Sequence, residues 1–296
     1  MRRAFVFLFL LTSVSVFSQQ EPLTSMFWNN YSVVNPANSG FFYRHFATVQ
    51  SRWQWIDFEK NPKTTWINYD IKIDRLKSGS GIYYAYDEIG NIEEHVFTVN
   101  YNIQFAIREV HRFALGACFG NQKQDIADNW VATDNFTIDG AIPGGSTTSL
   151  YNTGIGIIYH YKKITSGFSV KNLTEPAYRH EGTHWDFDYP RYRTYYFLLR
   201  YKFELNESLE LEPGLLIRHD ITAWAMDVNV RAIYKEKFWL ATATRVNSGN
   251  LSVIGFMLGV SFWNRLQLGY NAEFSTGNYR RSPWNTHEAF ISFALE

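Results

Sequence analysis

The stretch that decides the fold is residues 95–106, His-Val-Phe-Thr-Val-Asn-Tyr-Asn-Ile-Gln-Phe-Ala. From Phe97 to Phe105, apolar side chains occupy every second position and polar side chains the positions between them. This period of two is typical of a β-strand with one apolar and one polar face. The same alternation recurs in residues 65–74, 194–203, 223–234 and 266–273. A helical spacing of apolar residues is hardly found in the chain.

Fourteen such segments follow one another along the sequence. They cover roughly residues 46–55, 64–74, 80–86, 93–107, 112–121, 149–161, 164–173, 192–205, 208–218, 223–234, 238–246, 251–262, 265–275 and 286–295. In hydrocarbon every backbone polar group must be paired, and strands achieve this only in a closed sheet. An even number of alternating strands is also typical of outer-membrane barrels. The sequence therefore predicts an all-β fold, a transmembrane antiparallel β-barrel of about 14 strands and of outer-membrane type.

The connections between these segments alternate in length. The short ones lie at residues 75–77, 108–111, 162–163, 206–207, 235–237 and 263–264, and the long ones at 56–63, 121–148, 174–191 and 275–285. Outer-membrane barrels have short periplasmic turns and longer outer loops. A soluble β-sandwich or propeller, the alternatives with the same alternation, does not require this sorting. We therefore expect the short turns and the N-terminus to be periplasmic.

The composition agrees with a membrane barrel. Aromatic residues make up 18% of the chain and charged residues 19%, compared with about 25% charged residues in ordinary soluble domains. Lys plus Arg and Asp plus Glu balance at 28 each, so the chain lacks the overall basic charge that is typical of a nucleic-acid-binding protein. A single cysteine, Cys118, forms neither an internal disulfide nor a multi-thiolate metal site.

The N-terminal residues predict the compartment. Arg2 and Arg3 precede an apolar run from Ala4 to Leu11, a pattern typical of a secretory signal peptide cleaved near Ser18. The run is too short for a membrane-spanning helix, which needs about 20 apolar residues. We therefore predict a signal peptide at residues 1–18, an N-terminal periplasmic extension at 19–45 and an outer-membrane β-barrel at 46–296. The host is then a Gram-negative bacterium.

The polar face of the strands carries charges of both signs, and we expect it to face the lumen. These lumen charges are Asp70, Lys72, Arg200, Glu210, Glu212, Arg218, Asp227, Arg231 and Glu273. Inside a barrel such side chains either pair across strands and fill the lumen or line a water channel. Pairing or solvation is the interpretation we favour over a selective path for a substrate.

Residues with catalytic or metal-binding chemistry form no recognisable motif. His184, Asp186 and Asp188 lie at alternate positions of one loop, with His180 nearby, and oxygen ligands with one imidazole suit a divalent cation. Aromatic residues are interleaved with them, however, and a solvated polar loop is the simpler interpretation. A barrel phospholipase or esterase would need a nucleophile motif, and none is visible. We predict no catalytic residue, metal or cofactor.

Short motifs along the chain resemble those of the PorP/SprF family, in the same order. The first is Asn35-Pro36-Ala37 followed by Gly40. The second is Arg52-Trp53-Gln54-Trp55 followed by Pro62, and the third is Asp87 followed by Gly90. Later landmarks extend the resemblance over the whole mature chain. In the first motif the proline fixes φ and the glycine allows a positive φ, so we expect a turn that enters or seals the periplasmic mouth.

The resemblance implies a non-enzymatic outer-membrane component of the type IX secretion and gliding-motility machinery. Members of this family assist the secretion of large adhesins, often by holding the C-terminal sorting domain of the adhesin at the cell surface. The implied partners are therefore such a sorting domain, other type IX secretion or peptidoglycan-associated proteins, and outer-membrane lipid. The alternative function is a diffusion porin or an uptake channel for a small solute.

Aromatic residues in the long loops are the candidate partner contacts, because interface energy concentrates in large aromatic side chains. They are Trp130, Phe136, Trp185 and Trp284. The competing interpretation places these rings in a girdle at the membrane interface or in packing between loops.

Overall fold

The computed structural model describes residues 24–127, 145–181, 187–221, 223–247, 250–276 and 286–295. Its strands are β1 His45–Trp53, β2 Lys63–Ile73, β3 Ser78–Ile89, β4 Ile92–Ile107, β5 His111–Ile126, β6 Ser146–Tyr161, β7 Ile164–Lys171, β8 Ala177–His180, β9 Phe187–Pro190, β10 Thr194–Tyr201, β11 Phe203–Asn206, β12 Leu209–His219, β13 Trp224–Tyr234, β14 Phe238–Asn247, β15 Asn250–Phe262, β16 Leu266–Ser275 and β17 Thr286–Leu295. Four short 3-10 helices are Phe27–Asn29, Tyr31–Val33, Pro36–Asn38 and Asp74–Leu76. In the described residues, no helix is both long and apolar enough to cross a membrane.

Fourteen antiparallel strands close into a barrel. Each strand pairs with the next, and β1 pairs with β17 over its whole length, from His45 opposite Leu295 to Trp53 opposite His287. β10 and β11 are two parts of one strand interrupted at Lys202, because both pair with β12. Closure leaves the barrel without a free sheet edge, so its backbone groups are paired within the protein. The predicted all-β, antiparallel barrel of 14 strands is confirmed.

The two ends of the barrel differ as the connection lengths predict. At one end, here called the short-turn end, the connections are residues 74–77, 108–110, 162–163, 207–208, 235–237 and 263–265. The opposite end, here called the long-loop end, carries residues 54–62, 127–145, 172–193 and 276–285 together with three short connections. Several short turns hold two successive residues at positive φ, the geometry of tight hairpin turns. These pairs are Arg108 with Glu109, Lys235 with Glu236, and Trp263 with Asn264.

The strands extend further into one long loop than the sequence predicts. β5 runs to Ile126 and β6 starts at Ser146, whereas the predicted loop covers residues 121–148. Residues 121–125 are polar on both faces of the strand, so their hydropathy does not alternate. A second addition is the β8–β9 hairpin, which pairs Ala177–His180 with Phe187–Pro190 inside the next long loop.

Side chains alternate between the two faces of the barrel wall. In β4, Phe97 and Tyr101 are about half exposed on the outside, whereas Asn100 and Asn102 are buried on the inside. The same pattern around the barrel surrounds it with large apolar side chains, which is the surface that hydrocarbon requires. Residues 95–106 therefore form a strand with its apolar face outward, as their alternation predicts.

The lumen contains the N-terminal part of the described chain. Residues 24–44, here called the inner segment, run from Thr24 beside Glu288, near the long-loop end, to Arg44 at the short-turn end. The Arg44 amide donates to the Leu295 carbonyl oxygen (2.7 Å), and its carbonyl oxygen accepts from the Lys72 amide (2.9 Å). The sequence analysis predicts a periplasmic extension at residues 19–45. In the structure, residues 24–44 of this range lie inside the barrel, enclosed by its strands, and His45 begins β1.

The inner segment lies between two unlike walls. On one side its aromatic residues pack against apolar side chains of β10, β12, β14, β15 and β17, with Trp28 edge-on to Trp239 at a ring distance of 5.9 Å. On the other side, glycines of β3 and β5 make room for it. A Cβ atom at Gly116 would lie 2.4 Å from the backbone nitrogen of Ala37, so no larger residue fits without movement.

We expect Gly116→Ala to loosen the inner segment, because the new methyl group overlaps rigid backbone and overpacking costs about 1–3 kcal/mol. On electrophoresis after heating, the variant should change from the mobility of the folded barrel to that of the unfolded chain at a lower temperature. A protease should also cleave it faster within residues 24–44. Gly255→Ala is the matched control on the inner face of β15, since the atoms nearest to its Cβ would belong to Asn271, at 3.0 Å, and to Met257 and Glu273 of the wall. Equal behaviour of the two variants would contradict this packing role.

Candidate functional site

The Asn-Pro-Ala motif anchors the inner segment inside the lumen. The Asn35 side chain accepts a hydrogen bond from the Ala37 amide (3.0 Å) and donates one to the Ile157 carbonyl oxygen of β6 (3.0 Å). The asparagine thus caps the 3-10 helix Pro36–Asn38 and ties it to the wall. Gly40 has φ +63°, as its role in a turn requires. The motif therefore binds the inner segment to the wall inside the lumen, where glycines of the wall leave space for it. It does not form the predicted turn at the periplasmic mouth.

The polar face of β4 binds the inner segment directly. The Asn100 side chain donates to the Ser32 carbonyl oxygen (3.1 Å), and the Asn102 side chain donates to the Ser39 carbonyl oxygen (2.6 Å). The Gln104 side chain donates to the next carbonyl oxygen along the segment (3.0 Å). Irregular buried backbone needs such partners. The inward polar side chains of β4 therefore supply hydrogen bonds to the backbone of the inner segment.

A buried charge network lies above the inner segment, toward the long-loop end. The Arg52 guanidinium donates to both carboxylate oxygens of Glu273 at 2.6 Å each and lies 3.6 Å from Glu288. The Asn271 amide donates to both carboxylates (3.1 and 3.3 Å). Thr24 and the Ser25 amide also hydrogen-bond to Glu288. The inner segment is therefore tied to β1, β16 and β17 through charged groups.

Asp227 is the centre of the second part of this network. Arg218 donates to one of its carboxylate oxygens (2.7 Å) and Arg245 to the other (2.6 Å). Arg245 also reaches the Ser25 hydroxyl (3.3 Å). Sequence reasoning missed Arg245 and Glu288 as lumen charges. The inner face of β14 near Arg245 is otherwise apolar, because it packs against the inner segment. The alternation of polar and apolar residues therefore did not mark this face as the one that lines the lumen.

All nine predicted lumen charges lie on the inner face of the wall. Asp70 is buried and accepts hydrogen bonds from the Ser32 hydroxyl (2.5 Å) and the Asn68 amide (2.9 Å). Three others, Arg218, Asp227 and Glu273, belong to the network above. The remaining five lie toward the short-turn end: Lys72, Arg200, Glu210, Glu212 and Arg231.

Ion pairs connect most of the charges near the short-turn end. Lys202 lies 2.9 Å from Glu210, and Arg231 pairs with Glu212. At the rim, hydrogen bonds from Arg44 and Lys72 lower the pKa of Asp74 below its ordinary value. Pairing across strands is the arrangement that the sequence analysis favours for most of these side chains.

The second and third motifs have several separate structural roles. Trp53 faces outward, while the Gln54 amide closes the following loop by donating to the Pro62 carbonyl oxygen (2.9 Å). Trp55 takes a positive φ in that loop, and Gly90 does so in the tight β3–β4 turn. Asp87 lies on the inner face and accepts a hydrogen bond from the Thr64 hydroxyl (2.5 Å).

The β8–β9 hairpin folds over the long-loop end of the lumen. His180 is buried, and its ring nitrogens lie 2.8 Å from the Gln124 side chain and 2.9 Å from the Ser146 hydroxyl. Tyr178 is fully buried beside it, and Arg191 pairs with Glu94. Of these wall partners, Gln124 lies in the unpredicted extension of β5, Ser146 begins β6 and Glu94 lies on β4. The hairpin is thus held by the barrel wall.

Some predicted site residues lie outside the described residues. They are the four aromatic candidates Trp130, Phe136, Trp185 and Trp284, together with His184 and Asp186 of the possible cation loop. Within the described ranges, no cluster of three or more His, Cys, Asp or Glu side chains is arranged to hold a metal ion.

The inner segment leaves little space above itself. A cavity of about 50 Å³ lies between it and the upper wall, with room for a few water molecules. Phe27 and Asn30 of the inner segment line this cavity, together with Trp66 and Arg218 of the wall. In the described part of the chain, the middle of the lumen is thus filled by protein.

We expect Arg52→Met to lower the free energy of unfolding by about 3–5 kcal/mol, because it leaves Glu273 and Glu288 buried without their guanidinium. Urea unfolding in lipid vesicles, followed by tryptophan fluorescence, measures the change. Arg44→Met is the matched control, since Arg44 pairs with Asp74 on the exposed rim, and it should leave stability unchanged. An equal loss of stability in both variants would show that the buried network contributes no more to the free energy of unfolding than the exposed pair at the rim.

Comparison with known proteins agrees with this architecture. The family model described as "Type IX secretion system membrane protein PorP/SprF" matches residues 16–293. A search of curated proteins found no match. Among solved structures, the Pseudomonas putida toluene transporter TodX is 8% identical with a TM-score of 0.53, over 90% of this chain and 94% of that one. A TodX deltaS2S3 mutant, titled a monoaromatic hydrocarbon channel, is 9% identical with a TM-score of 0.54, over the same shares of the two chains.

The TodX likeness shows the fold alone, that of an outer-membrane barrel. The family match covers nearly the whole chain, from the Asn-Pro-Ala motif of the inner segment through the strands of the barrel wall to Phe293 in β17. This protein is therefore an outer-membrane β-barrel that belongs to the PorP/SprF family of type IX secretion system membrane proteins.

Proposed function

We propose that this protein is a non-enzymatic docking component of the type IX secretion and gliding-motility machinery, which assists the export or surface anchoring of a large adhesin-type partner. The observation that carries the proposal is the filled lumen. Residues 24–44 occupy the barrel interior and are bound to its wall by Asn100, Asn102 and Arg245. A barrel closed in this way offers surfaces at its two ends, while its lumen is not a path for cargo.

The proposed orientation follows the rule for outer-membrane barrels, in which short turns face the periplasm. The short turns carry Lys162, Lys163, Lys235 and Lys237. The long loops then face outward and hold the C-terminal sorting domain of the secreted adhesin. In this arrangement the signal peptide is cleaved near Ser18, and other type IX secretion or peptidoglycan-associated proteins meet the short-turn end.

The aromatic candidates Trp130, Phe136, Trp185 and Trp284 belong to these outward loops. In one of these loops Tyr178 and His180 are buried against the wall, which supports the proposal that β8 is held in place there. A loop held in place loses less conformational freedom when a partner binds.

A conductance measurement separates this proposal from the alternative of a diffusion porin or uptake channel. We expect the purified protein in planar bilayers to show no stable open pore. Deletion of residues 24–38 should create open channels, because it removes the protein that fills the lumen. Heat-modified mobility of the variant is the check for a folded barrel. A stable open pore in the unaltered protein would contradict the docking proposal and support the porin.

A loop exchange tests the partner end. Replacing residues 128–144 by Gly-Ser-Gly should leave barrel stability unchanged and reduce the adhesin on the cell surface several-fold, measured by antibody labelling of intact cells. The matched control replaces residues 56–60, an exposed part of another connection at the same end. Unchanged surface display and secretion in a strain lacking the whole gene would contradict an adhesin role altogether.

A further inference from the structure

A second cavity lies at the other end of the inner segment and opens at the short-turn end. It measures about 450 Å³, and the inner segment closes it with Trp28, Tyr31 and Phe42. An adjoining cavity of about 770 Å³ shares Phe41 and Phe42 with it. We call the two together the short-turn vestibule. Because the inner segment closes its inner side, a ligand enters and leaves by the same mouth.

Positive charge dominates the lining of the vestibule. Its described cationic residues are Arg44, Lys72, Lys77, Arg112, Arg200, Lys202, Arg231 and Arg265. The described carboxylates of the lining are Asp70 and Asp74. Glu210 and Glu212, behind the lining, pair with Lys202 and Arg231. Asp70 accepts a hydrogen bond from the Ser32 hydroxyl. Acids therefore compensate only part of the positive charge.

Arg200 is the feature that needs an explanation. Its guanidinium carbon lies 5.7 Å from the ring centre of Tyr31 and 5.3 Å from that of Phe42. Four other arginines of the inner wall pair with carboxylates: Arg52, Arg218, Arg231 and Arg245. Among the described residues, no carboxylate pairs with Arg200 or with Arg265 at the rim. Glu212, the partner of Arg231, attracts Arg200 through its charge without forming an ion pair with it. Arg200 is thus a cation held beside two aromatic rings at the wall of the vestibule.

The side chains beside these cations indicate what kind of ligand fits. Phe42, Phe46 and Tyr43 also line the vestibule, and more than a third of the Tyr43 surface is exposed. Arginine and aromatic residues together are typical of the energetic centres of protein–protein interfaces. A guanidinium binds a carboxylate through two parallel hydrogen bonds. A closed inner side favours a tethered ligand over a solute in transit.

We propose that the short-turn vestibule binds an acidic peptide segment of a partner protein, with Arg200 and Arg265 as the receptors of its carboxylates. Arg200 supplies the fixed deep contact, and the exposed Arg265 supplies a contact at the rim. Charge complementarity of this kind also accelerates association and makes it sensitive to salt. The proposal does not depend on the adhesin role, because it concerns the opposite end of the barrel.

The test uses the purified full mature chain in a neutral detergent and an octaglutamate peptide that carries an uncharged dye. Fluorescence anisotropy should show saturable binding that weakens as salt rises, since salt screens charge interactions. The corresponding octaglutamine peptide should not bind. Arg265→Met and Arg200→Met should each weaken octaglutamate binding, by at least about tenfold when combined. Heat-modified mobility confirms that each variant is folded.

Arg108→Met is the matched control, because Arg108 is an exposed cation on a short turn outside the vestibule lining. It should bind octaglutamate like the unaltered protein. If Arg200→Met fails to fold, Arg265→Met alone still decides the matter, since Arg265 lies on the exposed rim. The proposal is overturned by equal binding of the two peptides, by equal losses in Arg265→Met and Arg108→Met, or by equally strong binding of inorganic pyrophosphate.

Discussion

A strand that crosses hydrocarbon must pair its backbone N–H and C=O groups with another strand, because no water is available there. In this protein β1 and β17 meet along their whole length and complete the ring. A ring of this many strands encloses a space wider than its own inward side chains fill. The inner segment occupies that space, so the need to close the sheet leads to the need to fill it.

The filling has its own cost, since irregular backbone and charged side chains are removed from water. Asn100, Asn102 and Gln104 supply hydrogen bonds to that backbone. The buried charges form a connected set in which Arg52 serves two carboxylates and Asp227 serves two guanidinium groups. Removing one partner would leave another buried charge without its counter-charge. The inner segment and the wall are therefore coupled energetically.

The two ends of the filled barrel are chemically different. Toward the long-loop end the charges are buried and paired, and a hairpin covers part of the opening. Toward the short-turn end Arg200 forms no direct ion pair with a carboxylate of the described residues and lies next to aromatic side chains. This difference fits a component of a secretion machine that meets one partner at each face, with the barrel as the rigid body between them.

The sequence by itself determined the strands, the two faces of each strand, the difference between the two ends and the family. Alternation reports a local property, since a residue and its second neighbour share a face whatever the rest of the chain does. It also placed Asp227 and Glu273 in the lumen. It placed residues 24–44, which lack a period, in a periplasmic extension instead of in the lumen. It also did not identify Arg245, which lies on an otherwise apolar inner face.

Only the tertiary structure decided that the lumen is filled and which charges pair there. Asn35 meets Ile157 across 122 residues of sequence, and Arg52 meets Glu273 across 221. Contacts of this kind exist because the closed sheet brings distant strands around one axis, and no local pattern encodes them. The chain alone therefore specifies the wall of the barrel, while closure of that wall specifies what it contains.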